Sequence, residues 1–366
     1  MRLVRSVLED AADIEEFLEK TAGLIDQKIE EYIPRKYEGD AVVFELNPPR
    51  YNPDLEALDK AISDPIWEFL DRGGKRWRPA LFLLVLEALG GDSGSCLDFA
   101  IITEVIHNGT LMADDVEDSS ELRRGKPCTY KMFGLDIAVN VSDALFFLPM
   151  LVLMRKKVKI PQEQSNKLYA IFVQEMISLS FGQAMDIAWH RGLVSNEIAE
   201  DQYLQMCMYK TGTLARMAAR MAAVLAGADE DVVQVMGRFA ESIGVSFQIQ
   251  DDILDIVGVE FAKGKGGQGM DISEGKRSLM VIHTLRNASP KDKSRLLTIL
   301  SMHTLDEKLR REAIDIIRKY NSVEYAKEVA ERLMRESLNE VDRILNPSKA
   351  KEMLVALANY LIERKM

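Results

Sequence analysis

The stretch IITEVIHNGTLMADDVEDSSELRRGKP, residues 101–127, decides how the chain is read. Its first half is apolar, with Ile, Val, Leu and Met at helical spacing, and proline enters only at Pro127. It then turns to acid: Asp114, Asp115, Glu117 and Asp118. Residues four apart share a helix face, so Asp114 and Asp118 would lie about 5–6 Å apart. Carboxylates on an apolar helix are costly to desolvate unless a cation neutralises them. Directly after the acids come Arg123, Arg124 and Lys126.

The pattern returns in IGVSFQIQDDILDIV, residues 243–257, where Asp251, Asp252 and Asp255 repeat the spacing. One such motif is as readily a solvated helix face as a metal site. Two with the same spacing, both in apolar helices, favour the metal. A hard divalent cation such as Mg²⁺ prefers carboxylate and phosphate oxygens. The expectation is a metal cluster held by two motifs that face each other across a helical bundle.

Basic groups bracket the acidic ones. GGKRWRP supplies Lys75, Arg76 and Arg78 after Gly73 and Gly74. Lys210, Thr211 and Gly212 precede the second motif, and Lys265, Lys276 and Arg277 follow it. Arginine forks and lysine point charges are what phosphoryl groups require. Each basic group alone would pass as ordinary surface. Together they point to a metal-bound polyphosphate.

The rest of the chain sets the frame. It has 366 residues, 47% hydrophobic and 29% charged, which is globular and too apolar for disorder. The formal charge of −11 argues against a nucleic-acid binder and against adhesion to an anionic membrane. Three cysteines without a CxxC pair, and four histidines, do not complete a zinc site of common spacing. The first twenty residues carry acids early and no uninterrupted apolar stretch. The strongest apolar run, residues 144–154, is broken by Pro149 and falls short of the ~20 residues a span needs. A soluble cytoplasmic protein without membrane insertion is therefore expected.

Four prolines from Pro34 to Pro53 mark a linker. Before it, Leu8, Ile14, Phe17, Leu18, Leu24, Ile25 and Ile29 have the spacing of an acidic amphipathic helix. Residues 1–53 then form an N-terminal arm and 54–366 one catalytic domain. No proline lies between Pro161 and Pro290, and the Ala-, Leu-, Met- and Glu-rich composition favours helices. Helices are predicted over 55–71, 76–90, 94–118, 129–156, 163–191, 196–225, 230–258, 274–286, 291–302, 306–319, 322–344 and 348–364. Residues 41–46 are the one strand candidate. The fold class is all-α.

Two motifs mislead. Residues 264–269 match G-x-G-x-x-G but follow a helix-like segment, with no βαβ unit around them. They read as a flexible loop. Glu104-x-x-His107 matches a di-iron ligand pair, yet no second Glu-x-x-His exists. His107 is then either a core histidine or a substrate ligand, and its place two turns before Asp114 favours the ligand.

The ordered set GGKRWRP, HNGTLMADDVEDSSELRRGKP, FGQAMD, YKTGTL, FQIQDDILD and DISEGKRSL resembles the trans-isoprenyl diphosphate synthases, or polyprenyl synthetases. The likeness runs from about Asp59 onwards and leaves the arm unexplained. It implies an all-α bundle with a deep apolar cavity, a homodimer and three Mg²⁺ ions per active site. By resemblance, Asp114, Asp115, Asp118, Asp251, Asp252 and Asp255 hold Mg²⁺ against an allylic diphosphate. Arg123, Lys210, Thr211 and Gln248 contact that diphosphate or the nascent cation. Gly74, Lys75, Arg78, His107 and Arg124 hold isopentenyl diphosphate, and Gln183 and Asp186 support the ligands. Lys265 sits one residue further from Asp271 than the family's usual lysine and is assigned to the diphosphate.

Product length is read upstream of Asp114, past Thr110, Gly109 and Ile106. A bulky aromatic five before the motif usually stops elongation early in such enzymes. Gly109 leaves that floor open, which implies geranylgeranyl diphosphate or a chain of twenty-five carbons or more. A class I terpene cyclase is the rival enzyme, but it would carry an NDxxSxxxE-type second motif. A noncatalytic subunit would have lost one aspartate motif, and a plain helical bundle would not respond to Mg²⁺ and diphosphate.

Overall fold

The computed structural model describes residues 3–39, 49–155, 158–195, 197–258 and 267–362. Almost all regular structure among them is helical. The chain divides into two compact units, residues 1–83 with 92–161, and residues 84–91 with 162–366. The strand candidate at 41–46 lies outside the described residues.

The first unit begins with α1 (Leu3–Asp10) and α2 (Ile14–Tyr32). Asp13 caps α2 by accepting the Glu16 amide, and Glu15 and Glu16 complement the helix dipole. Phe17, Leu18, Ile25 and Ile29 are buried, so the amphipathic face read in the arm is a packing face. The arm is docked. Trp67 donates its indole N–H to the Ile33 carbonyl at 3.1 Å, and Arg35 forks onto Asp71 at 2.8 and 2.9 Å. Tyr32 donates to Asp98, which Lys28 also meets at 3.2 Å.

The predicted helix at 55–71 comes in pieces. These are α3 (Leu55–Leu58), a widened π turn over Asp59–Ser63, and α4 (Asp64–Leu70). After α5 (Trp77–Ala88) comes α6 (Leu97–Glu117), which carries the first aspartate motif at its C-terminal end. A hairpin follows that the sequence reading treated only as a run of cations: β1 (Leu122–Arg123) pairs with β2 (Lys126–Pro127). Arg124 and Gly125 turn it, both with positive φ (54° and 78°), as a tight mirror-image hairpin turn demands. The predicted helix at 129–156 breaks into α7 (Thr129–Phe133), α8 (Leu135–Phe147) and α9 (Leu151–Met154). Gly134, at φ 103°, makes the first break, and Pro149 sits in the 3₁₀ turn that makes the second.

Residues Leu135–Met154 do reach spanning length and apolarity, with a mean hydropathy of 2.0, against the expectation. Asp136 and Asp143 hid this by dividing the run. Half of the window is buried inside the protein.

The second unit is built around two long helices, α10 (Gln162–His190) and, after α11 (Glu200–Cys207) and α12 (Thr213–Leu225), α13 (Glu230–Val257). Val245, Ile249, Ile253 and Ile256 of α13 enter the core, where each buried aliphatic side chain contributes about 1.5–3 kcal/mol. Leu279, Met280 and Leu285 meet them from α15 (Leu279–Asn287), which follows the short α14 (Met270–Ser273). Leu296 and Leu300 enter from α16 (Pro290–Ser301), and Ala313 and Ile317 from α17 (Glu307–Lys319). Ala326 and Val329 come from α18 (Ser322–Ile344), before the last helix, α19 (Lys349–Ile362). α15 starts later than predicted because Gly275 turns at φ 74° and Ser278 caps the helix.

Between α11 and α12 the helix widens into a π turn over Met208–Gly212. Such bulges recur at functional sites, and this one carries Lys210 and Thr211. A Cβ on Gly182 of α10 would lie 2.6 Å from the Tyr209 carbonyl carbon and 2.8 Å from Lys210 Cα. A Cβ on Gly244 of α13 would lie 2.7 Å from Gly212 Cα. Two glycines thus let two helices close on the turn backbone.

Candidate active site

Both aspartate motifs occupy the last turns of long helices, α6 and α13. There the helix dipole is negative and disfavours carboxylates. Burial works the same way. Asp115 is 1% exposed, and burial raises its pKa above the ordinary range while Arg123 pulls it back. Arg123 holds Asp115 Oδ1 at 2.6 Å and comes within 3.7 Å of Asp114. Asp115 Oδ2 is buried and accepts no hydrogen bond. Asp118 closes the helix, its amide bonded to the Asp114 carbonyl at 2.8 Å.

In the second motif, burial and then the charge of Asp271 push Asp252 well above the usual carboxylate range. Its oxygens accept from Tyr203 at 2.9 Å and from the Gln248 amide at 2.8 Å. Thr211 donates to the other end of Gln248 at 2.8 Å. This chain fixes the amide of Gln248 and joins the π turn to the motif. Asp251 is partly exposed. Asp255 has a structural task beside the ligand role assigned to it. Its two oxygens accept the amides of Met270 (3.1 Å) and Asp271 (3.2 Å), so it anchors the turn that carries Asp271. Lys210 Nζ meets Asp186 at 2.5 Å, which supports the lysine from α10. Gln183 lies one turn earlier on α10, partly exposed.

The basic loops of the first unit form one cluster. Arg72 donates to the carbonyls of Arg123 (3.0 Å) and Pro127 (2.9 Å) and so braces both hairpin strands. Arg124 donates to the Gly73 carbonyl, and its guanidinium lies over Phe69. A Cβ on Gly74, where φ is 154°, would lie 3.0 Å from Arg76 and 3.4 Å from Arg124. Arg78 is buried against Trp77, and Lys75 is exposed. Burial and the neighbouring Arg76 push the Arg124 pKa down to about 10. His107 is held neutral by burial and by Arg78, Arg124, Arg76 and Arg123. An arginine and a histidine both shifted this way mark a positive field that calls for an anion.

Glu104, half of the misleading di-iron pair, is the partner of Arg76 at 3.0 Å. Lys265 lies outside the described residues. Gly109 does not border an open floor: a Cβ there would lie 2.9 Å from Leu145 Cβ, 3.1 Å from the Ser142 carbonyl and 3.2 Å from Phe146. The glycine is what lets α6 pack on α8, and Ser142 donates to its carbonyl at 3.0 Å. Ile106 is fully buried, and Thr110 donates to the His107 carbonyl at 2.8 Å. The residues missed by sequence reading are Asp271, Tyr203 and Asp26, which meets Arg76 at 2.9 Å. Only Asp271 left a signal, the DIS motif.

Among the described residues no three His, Cys, Asp or Glu side chains form a ready-made cage. That suits Mg²⁺, which takes one or two carboxylates and completes its shell with water and phosphate oxygens. The orphaned Asp115 oxygen and the destabilised Asp252 carboxylate fit such an ion.

A mainly helical protein with an aspartate cluster ending each of two helices, and a basic cluster beside one of them, has the parts that a diphosphate-handling enzyme needs. Residues 59–317 match the polyprenyl synthetase family, and the chain belongs to it. It is a trans-isoprenyl diphosphate synthase, a prenyltransferase of a generally Mg²⁺-dependent kind. The chain is 35% identical over 318 residues to a short chain isoprenyl diphosphate synthase of Methanothermobacter thermautotrophicus, covering 85% of this chain and 95% of the relative. It is 31% identical to the geranylgeranyl pyrophosphate synthase of Geoglobus acetivorans, over 96% of this chain and 99% of the other. The crystal structure of geranylgeranyl pyrophosphate synthetase from Pyrococcus horikoshii superposes with a TM-score of 0.82 at 30% identity, covering 99% of both chains.

Proposed function

We propose that the enzyme condenses isopentenyl diphosphate with allylic diphosphates and releases geranylgeranyl diphosphate. The full-length likeness to enzymes bearing that name supports the product. The crowding of Arg76 and Arg124 at Gly74, with Arg123 on Asp115 of the first aspartate motif, carries the reading, because clustered cations beside carboxylates suit a metal-bound anion.

Asp114, Asp115 and Asp118, and Asp251 with Asp252, would hold three Mg²⁺ ions, which when bound neutralise the departing diphosphate. Arg123, Lys210 and Thr211 meet the allylic diphosphate, and Lys75, Arg78, His107 and Arg124 meet isopentenyl diphosphate. The allylic C–O bond ionises, and the double bond of isopentenyl diphosphate attacks the cation. The released diphosphate takes the proton, so no protein base is needed. Burial and the surrounding arginines lower the His107 pKa, so the ring favours its neutral form, which can donate one N–H to an anion.

The enzyme works as a homodimer in this proposal. Tyr169, Val173, Ile177 and Phe181 repeat every four residues along α10 and are 37–57% exposed. Such a stripe on a helix suits a second copy of the chain. Turnover with isopentenyl diphosphate, an allylic primer and Mg²⁺ tests the reading. Consumption of both substrates supports it, and inertness refutes it.

A further inference from the structure

The N-terminal arm reaches the basic cluster. Arg76 sits in the loop between α4 and α5, with a left-handed backbone (φ 48°) and a side chain 1% exposed. Each nitrogen of its guanidinium has an acceptor. Nε donates to Asp26 at 2.9 Å, Nη1 to Glu104 at 3.0 Å and Nη2 to the Leu70 carbonyl at 3.1 Å. Asn108 donates to the same Glu104 oxygen at 3.2 Å. Asp26 belongs to α2, outside the segment that matches the family.

Arg76 is flanked by Lys75 and lies two residues before Arg78. Its Nη1 lies closest to where a Gly74 Cβ would stand, with Arg124 next. The conformation of residues 73–76 therefore depends on where Arg76 is pinned. Two cations, Arg76 and Arg124, crowd one glycine. Two carboxylates on Arg76 offset that repulsion, and one of them comes from the arm.

We infer that α2 is part of the isopentenyl diphosphate site: Asp26 is a positioning residue that clamps Arg76 and so sets the loop presenting Gly74, Lys75 and Arg78. This rests on the function proposed above. Asp26 touches no substrate, and it acts through Arg76 alone.

The test is steady-state kinetics of the full chain with each substrate varied in turn. Asp26→Asn is expected to raise KM for isopentenyl diphosphate about tenfold, the scale of one charge-assisted hydrogen bond. KM for the allylic primer stays within twofold, and Asp26→Glu restores most of the loss. Glu30→Gln, on the same helix but facing Arg35, changes neither KM. Unchanged KM for isopentenyl diphosphate in Asp26→Asn overturns the inference and leaves the function standing. Equal rises in both KM values, with a lowered melting temperature, also overturn it by showing a merely structural role. A wild-type enzyme that does not consume isopentenyl diphosphate brings down the proposed function, and this inference with it.

Discussion

Replacing Gly182 by alanine adds one methyl group where two backbones touch. Its Cβ would meet the Lys210 amide nitrogen first, then Tyr209 C at 2.6 Å and Lys210 Cα at 2.8 Å. Ordinary contact between such atoms is about 3.5–4.0 Å. The π turn over Met208–Gly212 must therefore retreat from α10 by about 1 Å, since no flexible side chain is there to yield. Overpacking of this kind costs about 1–3 kcal/mol, against about 1 kcal/mol gained from alanine's helix propensity. The catalytic effect is the larger one. A displacement of about 1 Å at reacting groups costs up to about 100-fold in rate, and the displaced turn carries Lys210 and Thr211. Gly23→Ala is the control, because nothing lies within 4 Å of a Cβ there and Gly23 is inside α2. It should gain about 0.5–1 kcal/mol. Urea unfolding and kcat should separate the two variants, with Gly182→Ala losing turnover more than stability. Wild-type kcat in a folded Gly182→Ala would refute the reasoning.

Gly109→Phe should lower the melting temperature by several degrees, because Leu145 Cβ and the Ser142 carbonyl block the added side chain. A stable variant that cleanly shortens the product would restore the open-floor reading. Asp252 titrates above its unfolded value, so its stabilising contribution is full at acid pH and is lost as pH rises through the raised value. In EDTA, melting should fall more between pH 5.5 and 8 for wild type than for Asp252→Asn, and the variant should lose turnover. Equal slopes would contradict this. Ile177→Lys should lower the mass of the enzyme in light scattering to that of one chain, and an unchanged dimer would exclude the α10 stripe.

The helices were largely legible because apolar spacing, proline and glycine act locally. The second aspartate helix ends one residue from the predicted boundary, and α18 matches its predicted span. The widened turns at Asp59–Ser63 and Met208–Gly212 were not legible, since helical composition continues through them. The site was readable where residues of one kind cluster in sequence, as in DDVED and RRGKP. It was unreadable where distant residues meet. Asp26 reaches Arg76 from fifty positions away, and Tyr203 reaches Asp252 from forty-nine. Gly109 was misread because a missing side chain marks either an open space or a close approach. Only the position of α8 decides which.

The central claim is prenyl transfer to a twenty-carbon chain. Its most direct test is to incubate the purified enzyme with isopentenyl diphosphate, each allylic primer and Mg²⁺, and to size the released chain. The account predicts geranylgeranyl diphosphate, formed only when Mg²⁺ is present. A cyclised hydrocarbon made from the allylic diphosphate alone, or no Mg²⁺-dependent consumption of isopentenyl diphosphate, would contradict it.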